Sequence, residues 1–298
     1  MSITLFENFR ALFYAPFYAA FGLSAYEREH VDVTLAPMSA PGDGSNAILG
    51  GADAMTWGGP MRVMRNHDED PDSDLVSFCE VVGKDPFQLV GRTPKSGFRI
   101  PDLVGIRFAS FLEAPTPWLC LQEDLRRENI DPDAIDRTGD LPVTEIMDRF
   151  QKGEFDLVQV PEPYAEALVA GGHGHIWYET ASRGPCCYTT FSAKRSFIDA
   201  HQEEVGAMYR AQAATLRWIH EETAADIAKV VAQYFPDVPA DHLTQSIDRY
   251  KSAGLWSRNP TISKPGLERL RAGLLSGGFI ERAIPYEEMV ETRFDIPD

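Results

Sequence analysis

Residues 142–172 read PVTEIMDRFQKGEFDLVQVPEPYAEALVAGG, and this stretch decides the fold class. Its first part (142–155) is helical, with Ile146 and Phe150 four apart on one side. "DLVQVPEP" (156–163) is a short apolar run of strand type, and "YAEALVAGG" (164–172) returns to a helix. Helix, strand and helix in succession imply a sheet with helices on its faces.

The same alternation extends in both directions. "LVGIRFAS" (103–110) reads as a strand, and "TPWLCLQEDLRREN" (116–129) as a helix ending before "IDPD". "HIWYET" (175–180) is a further strand, followed by the extended segment "CCYTTFSA" (186–193). Near the N-terminus, "SITLFENF" (2–9) is a strand running into the helical "APFYAAFGLSAYEREH" (15–30). "VDVTLAPM" (31–38) alternates like a strand and ends at the turn-rich "SAPGDGS" (39–45). Ser45 is the expected cap of a short helix, "ADAMTWGG" (52–59) is a third strand, and Pro60 opens another helix. Two strands, "LVSFCEVVGK" (75–84) and "PFQLVGRT" (86–93), follow an acidic loop. From Lys194 onward the pattern is almost entirely helical. The expected architecture is α/β and two-lobed, with a helical C-terminal tail. Residues 1–93 plus 190–298 are assigned to the first lobe and 94–189 to the second, with a ligand cleft between them.

Composition narrows the partners. The chain has 298 residues with Lys+Arg 28 and Asp+Glu 45, a formal net charge of −17. So acidic a surface repels nucleic acid and anionic membrane. Glu7, Asn8 and Arg10 interrupt the apolar N-terminal residues, so no secretory signal is read there. No run approaches the roughly 18 apolar residues of a membrane span. The expected location is cytoplasmic as written, or periplasmic if a leader has been removed. Cys79, Cys120, Cys186 and Cys187 show no zinc spacing, and adjacent cysteines in an extended strand point to opposite faces. Reduced thiols are expected, with no metal and no cofactor.

Four stretches in matching order carry a family resemblance: "NFRALFYAPFYAA" (8–20), "SNAILGGADAMTWGG" (45–59), "GFRIPDLVGIRFA" (97–109) and "FQKGEFDLVQVPEPYAEAL" (150–168). "TFSAKRSFIDAHQEEVGAMYRA" (190–211) resembles the usual start of the tail. Together they resemble solute-binding proteins of the nitrate/sulfonate/taurine type, and the related thiamine-pyrimidine precursor (NMT1/THI5-like) family. The resemblance implies the type II periplasmic-binding fold and an interlobe site.

Strand C-terminal ends and helix N-termini should face that cleft. This selects Asn8, Arg10 and Leu12 after the first strand, Gly44 and Ser45 in the turn, and Trp57, Gly58 and Gly59 after the third. Ser110, Thr116, Glu162 and Tyr164 come from the second lobe, and Cys187 and Tyr188 from the crossing between lobes. Arg10 is either a clamp for a carboxylate or sulfonate or the partner of an acid such as Glu7. Trp57 either stacks on a planar ligand or packs in the core. Glu162 matches the family's cleft-facing Glu-Pro and either receives ligand donors or forms a lobe-stabilising bridge. "GPCCYTTFS" (184–192) reads as cleft wall, with Tyr188 and one thiol facing the ligand; a nucleophilic cysteine stays open. "GDGSNA" (42–47) fits a dinucleotide pattern formally but follows the wrong strand, and Asp43 would repel a pyrophosphate. "HGH" (173–175) lacks a third metal ligand and reads as a turn.

Enzymes occur in the same superfamily. A desulfinase uses a cysteine where this chain has Arg10 or Ala11, and thiamine-pyrimidine synthases use a histidine where it has Gly59, Pro60 and Met61. A dihydroxyphthalate decarboxylase is a third relation. The favoured reading is a binding protein for a small planar or anionic ligand, of aromatic carboxylate, sulfonate or pyrimidine type, serving ABC-type uptake with a permease partner. The alternative is an enzyme of the same fold acting on an aromatic acid or in pyrimidine metabolism.

Overall fold

The computed structural model describes residues 2–296. Ten strands form two five-stranded sheets. The first holds β1 (Ser2–Glu7), β2 (Asp32–Pro37), β3 (Met55–Gly58), β4 (Leu75–Val82) and β10 (Thr189–Lys194) in the order β2-β1-β3-β10-β4. The second holds β5 (Phe87–Gly91), β6 (Phe108–Phe111), β7 (Arg137–Leu141), β8 (Leu157–Pro161) and β9 (His175–Glu179) in the order β7-β6-β8-β5-β9. The two orders are equivalent. Three parallel strands come first in each, and the strand made just after the chain crosses between lobes (β10 or β5) inserts antiparallel next to the third.

Burial follows position in the sheet. The central strand β8 is buried along its whole length, as its apolar run requires. Helix Val143–Gln151 lays Val143, Ile146 and Phe150 into the core. Burying each of the last two stabilises the fold by about 1.5–3 kcal/mol. By contrast β7, "RTGDL", lies at the sheet edge and carries no apolar alternation, so the sequence pattern does not reveal it.

Several boundaries differ from those expected. β5 pairs with β8 and β9, so the first crossing is residues 83–86 and the division after residue 93 falls one strand late. The strand expected at 103–110 begins only at Phe108, because residues 104–105 turn and Gly105 has a positive φ. Ser45 is not a cap: it lies inside helix Asp43–Leu49, whose N-cap position is Gly42. Pro60 stands at the N-cap position of helix Met61–Glu69 rather than at its first residue.

The two crossings run side by side. Cys186 N–H donates to Gly83 O at 2.9 Å and Tyr188 N–H to Val82 O at 2.8 Å. Arg183 in the second crossing pairs with Asp85 in the first at 2.7 Å and with Asp124 at 2.5 Å, and Arg269 reaches Asp124 at 2.8 Å. Burial works against the Arg183 charge, but the two carboxylates outweigh it and hold its pKa up.

The tail serves both lobes. Helix Gln202–Glu221 packs on helix Ala15–Gly22 of the first. Helix Ala240–Ser252 packs on Tyr164–Ala170, and Lys264–Ser276 on Thr116–Arg127, both in the second. Among the described residues no helix is long and apolar enough to cross a membrane.

Candidate functional site

A cavity of about 560 Å³ opens where the loops after β1, β6 and β8 meet the tail. Phe9, Arg10, Ala11 and Leu12 follow β1; Phe111 and Glu113 mark the end of β6; Pro161 to Tyr164 leave β8. Val143 and Ala167 add helix surface, and Tyr234 to Pro239 with His242 close the remaining side from the tail. The wall is mainly aromatic and aliphatic, with Arg10, Glu113, Glu162 and Asp237 as its charged groups.

Arg10 is already engaged. Its Nε donates to Glu7 Oε1 at 2.6 Å, one terminal nitrogen to Glu7 Oε2 at 2.8 Å, and the other to Tyr234 O at 3.0 Å. Tyr18 Oη donates to the same Glu7 Oε1 at 2.6 Å. The guanidinium lies over the Tyr18 and Tyr234 rings, 5.4 and 5.6 Å from their centroids. The Glu7 bond raises the Arg10 pKa further. Three of its five N–H groups are therefore spent and its charge is neutralised, leaving two donors for the cavity.

Glu162 is a clamp in the cavity wall. It is fully buried; one carboxylate oxygen accepts from Arg249, the other from Glu166 N–H at 2.9 Å and Ser246 Oγ at 3.1 Å. Arg249 also meets Glu166 at 2.8 Å, and Glu162 N–H donates to Tyr250 Oη at 2.9 Å. These bonds tie β8 to helix Ala240–Ser252. Burial still pushes the Glu162 carboxyl up, with Arg249 opposing. Tyr164 faces the cavity, its hydroxyl pKa raised by burial and by the nearby Glu113 charge. Glu113 accepts from Val143 N–H at 3.0 Å through one oxygen, and the other has no hydrogen-bond partner.

The cavity thus collects Arg10, Leu12, Glu162 and Tyr164 from the residues picked out in the sequence. The others lie elsewhere. Asn8 is buried and accepts from Gly42 N–H at 2.7 Å. Gly44 lets its helix approach the sheet, since a Cβ there would come within 2.8 Å of Thr56 Oγ1; Ser45 follows it in the same helix. Trp57 is fully buried and stacks on Phe17, with centroids 4.7 Å apart and planes 10° from parallel. Gly58 sits against Asn8, and Gly59 against Met61 and the Tyr188 backbone. Ser110 accepts from Arg137 Nε at 2.8 Å, and Thr116 donates to Met61 Sδ at 2.7 Å, a contact between the two lobes. Cys186 and Cys187 are buried together with residues of helix Lys264–Ser276. Tyr188 is buried edge-on to Phe13, its hydroxyl unpartnered. The wall role expected of "GPCCYTTFS" falls to other residues because this stretch runs along the first crossing, under the tail.

The thiols are poorly disposed to react. A hydrogen bond to Cys120 and then burial push Cys186 up; burial and the Glu80 charge do the same to Cys187. His173 and His175 are exposed, and the described residues contain no cluster of three or more His, Cys, Asp or Glu able to hold a metal.

The tail side of the cavity escaped the sequence reading. Its signal was present in "YFPDVPADH" (234–242), where two prolines and two aspartates interrupt otherwise helical residues.

A family model described as NMT1-like family matches residues 81–233, slightly more than half of the chain. YtlA of Bacillus subtilis (strain 168), whose name proposes a binding protein, is 26% identical over 298 residues, covering 95% of this chain and 86% of that one. The periplasmic aliphatic sulphonate binding protein SsuA from Escherichia coli superposes with a TM-score of 0.76 at 14% identity, covering 98% of both chains. The desulfurization enzyme DSZB superposes with a TM-score of 0.69 at 12% identity, covering 98% of this chain and 97% of that one. These likenesses establish the type II periplasmic-binding fold. A binder and an enzyme share it, so the fold does not choose between them.

Proposed function

The chain belongs to the NMT1-like family, and from that footing we propose that it is a solute-binding protein of ABC-type import that holds a small organic molecule in the cavity between its lobes. The observation that carries this reading is the cavity itself. It is bounded by loops of both sheets and by the tail, it has ligand-sized volume, and its wall is mainly apolar and aromatic with a few fixed polar groups. The names of YtlA and SsuA point the same way. Its chemistry favours retention over turnover: Arg10 and Glu162 are committed to partners within the protein, and no cysteine or serine lines the cavity. A permease is the partner that such a role requires. The proposed solute has a planar, aromatic body, matched to Phe9, Phe111, Tyr164 and Tyr234.

The test is a thermal-shift screen of aromatic carboxylates, sulfonates and pyrimidines, with each hit confirmed calorimetrically and then incubated with the protein and analysed by mass spectrometry. Saturable binding with the ligand recovered intact supports the proposal. Conversion of a hit overturns it in favour of an enzyme.

A further inference from the structure

The loop from β6 to helix Thr116–Arg127 carries Glu113 into the cavity wall. Its Oε1 accepts from Val143 N–H at 3.0 Å, at the first residue of helix Val143–Gln151, where the helix dipole favours a negative charge. Its Oε2 is closed off from water and has no hydrogen-bond partner. Buried polar atoms are nearly always hydrogen-bonded, and a sheltered carboxylate without a counter-charge costs more than a neutral group. Two other sheltered carboxylates beside the cavity obey that rule. Glu7 has Arg10 and Tyr18, and Glu162 has Arg249, Ser246 and the Glu166 amide. Of the three, Glu113 alone keeps an oxygen unmet.

The charge around this oxygen has one sign. Arg10 is neutralised by Glu7, and the lining holds no other arginine and no lysine. Asp237, on the tail side, makes no ion pair among the described residues. An anion entering the cavity would meet two carboxylates and no free guanidinium or ammonium. A cation would meet two attractions, reinforced by the formal charge of −17 on the whole chain. Phe9, Phe111 and Tyr164 add aromatic rings, whose faces attract positive charge. Tyr164 stands near enough to Glu113 for its hydroxyl to feel the carboxylate.

We infer that Glu113 is the recognition group for a positively charged nitrogen of the solute, an amidinium or protonated amino group carried on the planar body, which donates to the unmet carboxylate oxygen. Oε2 lies just under the cavity surface, and a partial turn about the last, soft torsion of the glutamate brings it outward. A charge-assisted N–H···O bond made there is stronger than a neutral one, and the aromatic wall holds the rest of the molecule. Val143 N–H keeps the carboxylate at the wall in the meantime. The inference rests on the solute-binding reading and adds the sign of the solute's charge.

The experiment titrates the full chain at low ionic strength with three planar probes: benzamidine, benzoate and acetophenone, which is neutral and has no N–H. The native protein is compared with Glu113→Gln, which keeps an oxygen for Val143 N–H, and with Val238→Trp, which narrows the same cavity. Benzamidine should bind the native protein more tightly than benzoate, and at least about tenfold more weakly in Glu113→Gln, while acetophenone changes less than about threefold. Val238→Trp should weaken benzamidine as well. Without ligand, Glu113→Gln should melt no lower than the native protein, since an uncompensated sheltered charge is removed. Equal benzamidine affinity in Glu113→Gln overturns the inference, as does a lowered melting temperature without ligand, which marks a structural carboxylate. Unchanged benzamidine affinity in Val238→Trp also overturns it, by placing the bound cation outside the cavity. Tighter binding of benzoate or acetophenone than of benzamidine overturns it while sparing the solute-binding reading. Binding of none of the three counts against both.

Discussion

Arg10 and Glu7, three residues apart, are joined by two parallel hydrogen bonds of 2.6 and 2.8 Å, with the carboxylate nearly buried and the guanidinium at the cavity. The pair answers the question Arg10 poses as a sequence feature. The strongest-looking anion clamp in the chain already holds an anion, and that anion is its own.

Arg10→Ala should therefore act mainly on stability. Glu7 would keep Tyr18 Oη but lose its counter-charge in a buried position. The expected loss is about 2–4 kcal/mol, tempered by the partial exposure of the arginine. Urea unfolding measures it; affinity for an acidic ligand should change less than about threefold.

Val238→Trp should fill the cavity from the tail side. Val238 lines the wall on a segment between helices, where a larger ring meets open space. Any solute found for the native protein should bind more than about tenfold more weakly, at a melting temperature within about 2 °C of native. Calorimetry on folded variant decides this, and unchanged affinity would place the site elsewhere.

Glu80 should make stability fall with rising pH. Burial raises its carboxyl above the ordinary 4.5, while hydrogen bonds from Ser257, Cys187 and Ser263 N–H oppose the shift. The folded state then binds the proton more tightly than the unfolded state. That contribution is full below the unfolded value and disappears as pH climbs through the folded one. Glu80→Gln should accordingly melt close to the native protein near about pH 5 and above it near about pH 8. A constant difference across that range would contradict the assignment.

The four thiols should be silent toward an aromatic disulfide reagent at about pH 8 until the chain unfolds. All four are buried, and the pKa of Cys79, Cys186 and Cys187 is well above the ordinary value. Rapid labelling of even one thiol in the folded protein would reopen a reactive-cysteine reading.

The sequence revealed much of the architecture because the buried strands are nearly pure apolar runs. β4 and β8 could be read from composition alone, and Ile146 with Phe150 marked the buried face of a helix. What failed to show was polar by necessity or non-local by nature. β7 is an edge strand and has no buried pair of faces to advertise it. The Glu162–Arg249 clamp joins residues 87 apart in the chain, so its partner could not be assigned in advance. Trp57 looked like a ligand platform because its strand end points toward the cleft, whereas Phe17 covers its face.

The equivalent strand orders of the two sheets have a consequence for how the chain assembles. The second sheet is drawn from one continuous segment, β5 to β9 (residues 87–179), and can be completed as soon as that segment exists. The first sheet has a gap between β3 and β4 that only β10 fills, some 107 residues after β4 ends (82 to 189). Emerging from a ribosome, the later half of the fold would close before the earlier one, and the N-terminal strands would wait with an unpaired interior edge. Pulse-labelled hydrogen exchange during refolding would record this as protection of residues 157–161 ahead of 55–58 and 75–82.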